Sequence, residues 1–439
     1  MVSKILSALL TTAALCACTT TEPTAPKAMP AQAAPTAVKL SEIVDGYLRL
    51  TLEAGTHEAE WVDAYYGPAE LKKSADANPR SLAQLLIDAK AMIVSLDQSS
   101  FEPADAGRGK ALRGMLVAAE TRLQMLQGRK FSFADEAQGQ FATVPELKPL
   151  SEYDSVLARL ETLIPGTGPL ATRVDAFNER FTIPKERLQK VFDVAIAECK
   201  RRTAAHIKLP EGETFTMEFV TGKPWSGYNY YKGNYKSLIQ INTDLPIRIS
   251  RAVDLGCHEG YPGHHVLNLM VESKMARANG WKEYEVNPLY SPTSVLSEGS
   301  ANYGIDLAFP GPERLKFERD VLYPLAGLDP ETAESYWNMQ QMTEALSGAR
   351  LTIAKMYLDG ELTRAQALGL TQKYLLLSPA RAEQSVGFTD HYRSYVLNYG
   401  WGKDLVREYV ERGKPNQTER WRRMEKILSE PTQPVDLLP

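Results

Sequence analysis

From about Leu40 onward, apolar residues recur at three- and four-residue spacing, the period of helices with one buried face. The clearest runs are 81–96, 110–126, 185–207 and 330–358. Pro184 and the pair Asp329-Pro330 stand where helix N-termini are expected. Strand-like alternation is confined to 215–220 and 235–242, where YKSLIQIN reads as a half-buried strand. No internal repeat interrupts this pattern. It predicts a mainly α protein: one multi-helical body over 39–439 with a small edge β-sheet.

Before residue 39 the helical period is lost. Met1 to Cys18 (MVSKILSALLTTAALCAC) carries one early Lys, an apolar run and then small residues, a secretory signal pattern too short for an ordinary membrane span. Leu15-Cys16-Ala17-Cys18 resembles a bacterial lipobox, which implies cleavage before Cys18 and a lipid on its sulfur. Residues 1–17 are therefore expected to be a signal peptide. The Thr-, Pro- and Ala-rich stretch 18–38 is expected to be a flexible tether. The expected location is that of an exported bacterial lipoprotein, held to a membrane only through lipid on Cys18. By resemblance to sorting patterns, Thr19 points to the outer membrane facing the periplasm, or to the cell surface.

Charge narrows the partners. Fifty Lys and Arg against 54 Asp and Glu give a net charge of −4, with no positive field suited to a nucleic acid. Of four cysteines, only Cys199 and Cys257 lie in the body. An exported compartment permits a disulfide, but spacing does not decide between a bond and two buried thiols.

Three of the six histidines fall within His258-Glu259-Gly260-Tyr261-Pro262-Gly263-His264-His265. Histidine is the commonest metal ligand, and a Glu directly after the first His is the placement used by zinc peptidases. In the usual HExxH helix both imidazoles share one face and the Glu polarises water. Here the position four after His258 is Pro262. On a regular helix His264 would stand about 120° from His258, and His265 about 10 Å further along the axis. Pro262 and Gly263 break the helix, and a two-residue bulge would restore His264 to the face of His258. His264 is the preferred second ligand and His265 the alternative. A third ligand is sought among Glu272, Glu283, Glu285, Glu298 and Asp306; Glu298 is preferred, because SEGSANY opens a separate helix that could cross the first.

HEGYPGHH followed by Glu298-Gly299-x-Ala301-x-Tyr303 resembles the bacterial domain-of-unknown-function family numbered 885. That family is regarded as gluzincin-type zinc peptidases, akin to the thimet-oligopeptidase and angiotensin-converting-enzyme group. The match covers about Tyr235–Asp306. It implies a zincin-like helical body with a cleft and a zinc core over about 235–310. It further implies one Zn²⁺ per chain on His258, His264 and Glu298, Glu259 as general base and a peptide as substrate. Ser300 stands where the family usually has Trp, and Leu267 where many members have Gln; both bear on substrate contacts. Two other readings keep part of this picture: a metal-dependent amidase on a non-peptide substrate, and a non-catalytic metal- or ligand-binding lipoprotein.

The surroundings are read from chemistry. The strand 235–242 is expected to be an edge on which an extended peptide could pair. The aromatic segment WSGYNYYKGNY (225–235) is expected to be a packed loop or a lip over the cleft. Asp254 is a candidate to orient a ligand, or a residue on a solvent-facing helix face. Hydrolysis needs a donor for the developing oxyanion. Tyr395 is expected first and His391 second, since Ser394-Tyr395 resembles a Ser-Tyr common in the family. Arg393 is a weaker candidate for a substrate carboxylate.

Overall fold

The structure is a computed structural model and describes residues 39–439. The expected signal peptide and tether, with Cys18, lie outside the described residues. Helices dominate, and residues 39–439 belong to one compact unit. Among the described residues no helix is long and apolar enough to cross a membrane.

The periodic segments form helices close to their expected bounds: Leu82–Gln98, Pro103–Leu126 and Leu188–Ala204. Their ends follow from local chemistry. Ser81 Oγ accepts from Gln84 N at 3.3 Å and caps the first of these helices. Asp329 Oδ1 accepts from Glu331 N at 3.1 Å. The run 330–358, expected as one helix, is instead two, Ala333–Glu344 and Ala349–Leu358. Between them the backbone tightens into i→i−3 bonds such as Leu346 N to Thr343 O. Ser347 and Gly348 are weak helix formers, which favours the break at that point.

Among the described residues, five strands make two small sheets. β1 (Val62–Tyr65) pairs antiparallel with β5 (Val286–Pro288). β2 (Thr214–Val220), β3 (Gly227–Tyr231) and β4 (Lys236–Asn242) form a three-stranded sheet in the order β2-β4-β3. β4 runs parallel to β2 and antiparallel to β3. The expected edge strand is therefore the central one, and the aromatic segment taken for a loop supplies the outer strand β3. The turn after β3 uses positive φ at Gly233, Asn234 and Tyr235, which closes the hairpin tightly.

The largest core joins the Leu188–Ala204 helix, the sheet, the histidine segment and the C-terminal helices. Cys199 and Cys257, both fully buried, are joined as a disulfide across this core. Close by, a buried polar network fixes the sheet to the histidine segment. Glu213 Oε2 is hydrogen-bonded to Tyr261 Oη (2.6 Å) and His265 Nε2 (3.0 Å), and Lys200 Nζ lies 2.6 Å from Glu213 Oε1. Burial opposes the charge on Glu213, but His265, Lys200 and Tyr261 outweigh it and hold the carboxyl down to about 2. A carboxylate depressed in the folded state contributes stability above its unfolded value and loses it as pH falls. Glu213→Gln should therefore cost about 1–3 kcal/mol at neutral pH. The gap from wild type should shrink as pH falls from 4.5 toward about 2. Thermal melts of both proteins across that range check this; a gap independent of pH would contradict it.

Candidate metal centre and its cavity

The chain reaches the histidines on an ordinary helix, Ser250–Leu255, that widens into one π-turn over Gly256–Gly260. It leaves the axis at Tyr261-Pro262-Gly263 and restarts as the helix His264–Met270. Gly263 N donates to Cys257 O at 3.0 Å, so the break folds back on the preceding turn. A Cβ at Gly263 would overlap His258 O, so this close return requires glycine. The extra π-turn residue and the loop together bring His264 round to His258. Their Nε2 atoms stand 3.1 Å apart.

Glu298 arrives from the crossing helix Pro292–Ala308. That helix packs on Leu397–Glu411 at Gly299 and Gly402, where a Cβ on Gly299 would strike the Gly402 carbonyl. The glycine after Glu298 thus sets the height of its carboxylate. Glu298 Oε2 lies 3.3 Å from His258 Nε2 and 3.7 Å from His264 Nε2. The three ligand-type atoms fall within 4.8 Å of one another, a spacing that could hold one metal ion.

Neighbouring side chains orient these donors. His264 Nδ1 is hydrogen-bonded to Ser297 Oγ (3.0 Å), which leaves Nε2 toward the cluster. Tyr395 Oη donates to Glu298 Oε1 (3.0 Å), leaving the buried Oε2 with no hydrogen-bond donor. Burial opposes protonation of His264, but Glu298 and then Glu259 outweigh it and push the imidazole up to about 9. Burial likewise opposes ionisation of Glu298, yet the two imidazoles hold its carboxyl below the usual range. These donors suit a divalent cation: two ring nitrogens and one carboxylate oxygen, preorganised and short of a partner.

Glu259 sits beside the cluster, 4% exposed, with Oε2 bonded to nothing. Burial pushes its carboxyl up, and Glu298 adds to this against the two imidazoles. Asn229 Nδ2 on β3 donates to the Glu259 carbonyl at 2.7 Å and ties the sheet to the π-turn. His258, Glu259, His264 and Glu298 all line one cavity of about 1210 Å³.

Comparison with known proteins follows from this geometry. No protein-family model matches the chain, and no curated protein matches it in sequence. Three solved structures align with it, the first of them closely enough to share its fold. A candidate lipoprotein from Colwellia psychrerythraea aligns with TM-score 0.50 and 16% identity, over 91% of this chain and 75% of that one. A candidate lipoprotein of unknown function from Shewanella oneidensis gives TM-score 0.44 and 13% identity, over 89% and 81%. An M32 carboxypeptidase from Deinococcus radiodurans R1 gives 0.38 and 13%, over 89% and 90%. At 16% identity the likeness to the Colwellia structure is one of fold alone. The family expectation drawn from HEGYPGHH accordingly rests on those residues alone.

Several expected residues lie elsewhere. His265 is fully buried, with Nδ1 on Ser237 Oγ (2.8 Å) and Nε2 on Glu213, so both nitrogens are occupied away from the cluster. Among the other acids weighed as a third ligand, Glu272 accepts from Asn234 N and pairs with Arg277, Glu283 pairs with Arg108, and Asp306 pairs with Lys403. Asp254 is bound by Arg314 Nη1 at 2.7 Å rather than by a histidine. His391 is not a cavity residue: it lies half-exposed, with Nε2 2.6 Å from Glu60 Oε2. The helix Pro379–Tyr392 ends just there, which turns His391 outward while Tyr395 points in. Arg393 is held by Glu136 (2.7 Å), the same carboxylate that accepts from Ser394 N (3.1 Å) and Oγ (2.7 Å).

Other residues at the cavity carry no local signal in the sequence. Asp63, on β1, accepts from Tyr228 Oη and from Asn287 Nδ2 (3.1 Å), and burial pushes its carboxyl up. Tyr399 also lines the cavity; burial keeps its phenol protonated, and Glu298 and Glu259 add to the effect.

Proposed function

We propose that the protein is a zinc-dependent peptidase, exported and lipid-anchored, that hydrolyses peptide bonds within this cavity. The observation that carries the reading is the convergence of His258, His264 and Glu298 beside a second, unpartnered carboxylate, Glu259, in a large cavity wall. Bound at these donors, zinc would supply a Lewis acid that acidifies a water molecule and polarises the scissile carbonyl. Every other part belongs to the chain. Glu259 takes the proton of the attacking water and returns it to the leaving amine nitrogen. Its burial and raised affinity for a proton suit both halves of that transfer.

Tyr395, expected as the oxyanion donor, has its hydroxyl on Glu298 and serves to position that carboxylate. Tyr399, one helical turn on, also lines the cavity with a phenol that burial keeps protonated, and it is the better donor to the developing oxyanion. β3 is an outer strand whose Gly227, Tyr228 and Asn229 border the cavity, so an extended substrate can lie along it. The volume exceeds that of an ordinary small-molecule pocket and has room for several residues of peptide. Export is supported by the 1–18 segment and by the lipoprotein assignment of the Colwellia structure that shares the fold.

Metal stoichiometry on protein purified without a His tag tests the reading. About one zinc per chain is expected. It should be lost in His264→Ala and in Glu298→Ala but kept in His265→Gln, because His265 is engaged by Ser237 and Glu213. Loss of the ion in His265→Gln alone would overturn this ligand set. A protein that takes up no metal would overturn the function.

A further inference from the structure

The cavity holds several cations, and most are neutralised by neighbours. Arg251 lies 3.4 Å from Asp254, Arg314 2.7 Å from Asp254, Lys403 3.2 Å from Asp306, and Arg407 2.9 Å from Asp404. Lys148, Arg381 and Arg350 make no ion pair among the described residues, and of these it is Arg350 that has a buried donor without an acceptor. It lines the same cavity as His258, Glu259 and Glu298. Its one side-chain hydrogen bond is from Nη2 to Ser385 Oγ, at 3.0 Å. Its Nε is buried with no acceptor.

A guanidinium in such a place is costly unless an anion completes it, because burial penalises the charge and leaves donors unsatisfied. Burial indeed lowers the proton affinity of Arg350 below that of an ordinary arginine, and the phenol of Tyr399 acts against this. Tyr399 in turn feels Glu298 and Glu259, and its ring lies 6.0 Å from that of Tyr395, which holds Glu298. Arg350, Tyr399 and Tyr395 thus line the same cavity as the candidate metal centre. Arg381, Gln384, Ser385 and Phe388 recur at helical spacing on Pro379–Tyr392, and all four line the cavity. Arg381 adds a second cation there, with Nη2 on a backbone carbonyl, Pro246 O at 3.2 Å.

We propose that Arg350, steadied by Ser385, is a subsite for the free C-terminal carboxylate of a peptide, so that the protein removes residues from the C-terminal end of its substrates. This rests on the peptidase reading for turnover, but not for binding. A planar guanidinium with an open donor edge matches a carboxylate in two parallel hydrogen bonds. An amide in place of the carboxylate can accept there but brings no charge. An acidic side chain carries the same chemistry as a C-terminus, and peptides can be made that separate the two.

The test uses the Glu259→Gln protein, in which bound peptide stays intact, and a library of neutral N-acetylated hexapeptides. The library is offered as free acids, as C-terminal amides, and as amides with one internal Asp. Equilibrium dialysis with mass-spectrometric readout gives the affinities. Free acids should bind roughly tenfold or more tighter than amides, the effect of one charge-assisted pair in a water-poor wall. That preference should vanish on adding Arg350→Gln and be partly restored by Arg350→Lys, with metal content unchanged. Equal binding of acids and amides, binding of neither, or a preference that survives Arg350→Gln would overturn the inference. Internal-Asp amides binding as tightly as free acids would overturn the C-terminal assignment. If the wild type cleaves none of these peptides while the Arg350-dependent preference holds, the subsite stands and the peptidase reading falls.

Discussion

Glu259→Gln is expected to keep the metal and lose peptide hydrolysis by roughly 10²- to 10⁴-fold in kcat, the usual span for removing a general base. The substitution is close to isosteric, so packing against β3 and the Asn229 bond to the Glu259 backbone should survive. What disappears is a buried, unbonded carboxylate oxygen beside the three ligand-type donors. An amide cannot take a proton from water at neutral pH. Turnover on a peptide mixture followed by mass spectrometry, with metal content measured on the same sample, gives both readouts. Turnover near that of wild type in a metal-loaded variant would remove Glu259 from the chemistry. Loss of metal together with turnover would show that it acts on the ligands instead.

The second large effect is on stability. Cys199 and Cys257 are 58 residues apart and lock the Leu188–Ala204 helix to the turn that carries His258. Closing a loop of that length restricts the unfolded chain by about 4 kcal/mol in the chain-entropy account. The double variant Cys199→Ala/Cys257→Ala should therefore melt roughly 5 °C lower, given the unfolding entropy of a body this size. A reductant should bring the wild type down toward the variant and leave the variant unmoved. Because Cys257 precedes His258 in the π-turn, retention of the metal should weaken in parallel. Melting temperatures within 1 °C of each other would mean that packing alone holds this turn, since both side chains lie in the largest core cluster.

The strength of the local signals explains how much of this could be read in advance. His258, Glu259 and His264 lie within seven residues, and Pro262-Gly263 announces the break that brings them together. Even so, the choice between His264 and His265 turned on the π-turn, which no spacing rule specifies, and on Ser237 and Glu213, which claim His265. Glu298 was legible because SEGSANY opens a separate helix that could cross the first, and the close packing of Gly299 on Gly402 fixes where that helix lies. β3 was not legible as a strand. Gly, Asn and Tyr in WSGYNYY read as a loop, and it is pairing to β4 that satisfies their backbone groups. His391 and Tyr395, four residues apart, would share a face only on a continuous helix. The helix ends at Tyr392, so they point to different sides.

Alone, the sequence determined the helical body, through its three- and four-residue period, and the candidate donors of the metal centre, through residue types that chemistry restricts to a few uses. Both are local properties, carried by neighbours along the chain. Only the tertiary structure decided which carboxylate joins the histidines, that the two body cysteines meet, and that Asp63, Ser297, Arg350 and Tyr399 share one cavity with them. Those groups come from segments more than three hundred residues apart. Burial gives their charges and hydrogen bonds a value that they lack in the extended chain, and burial is a property of the packed whole.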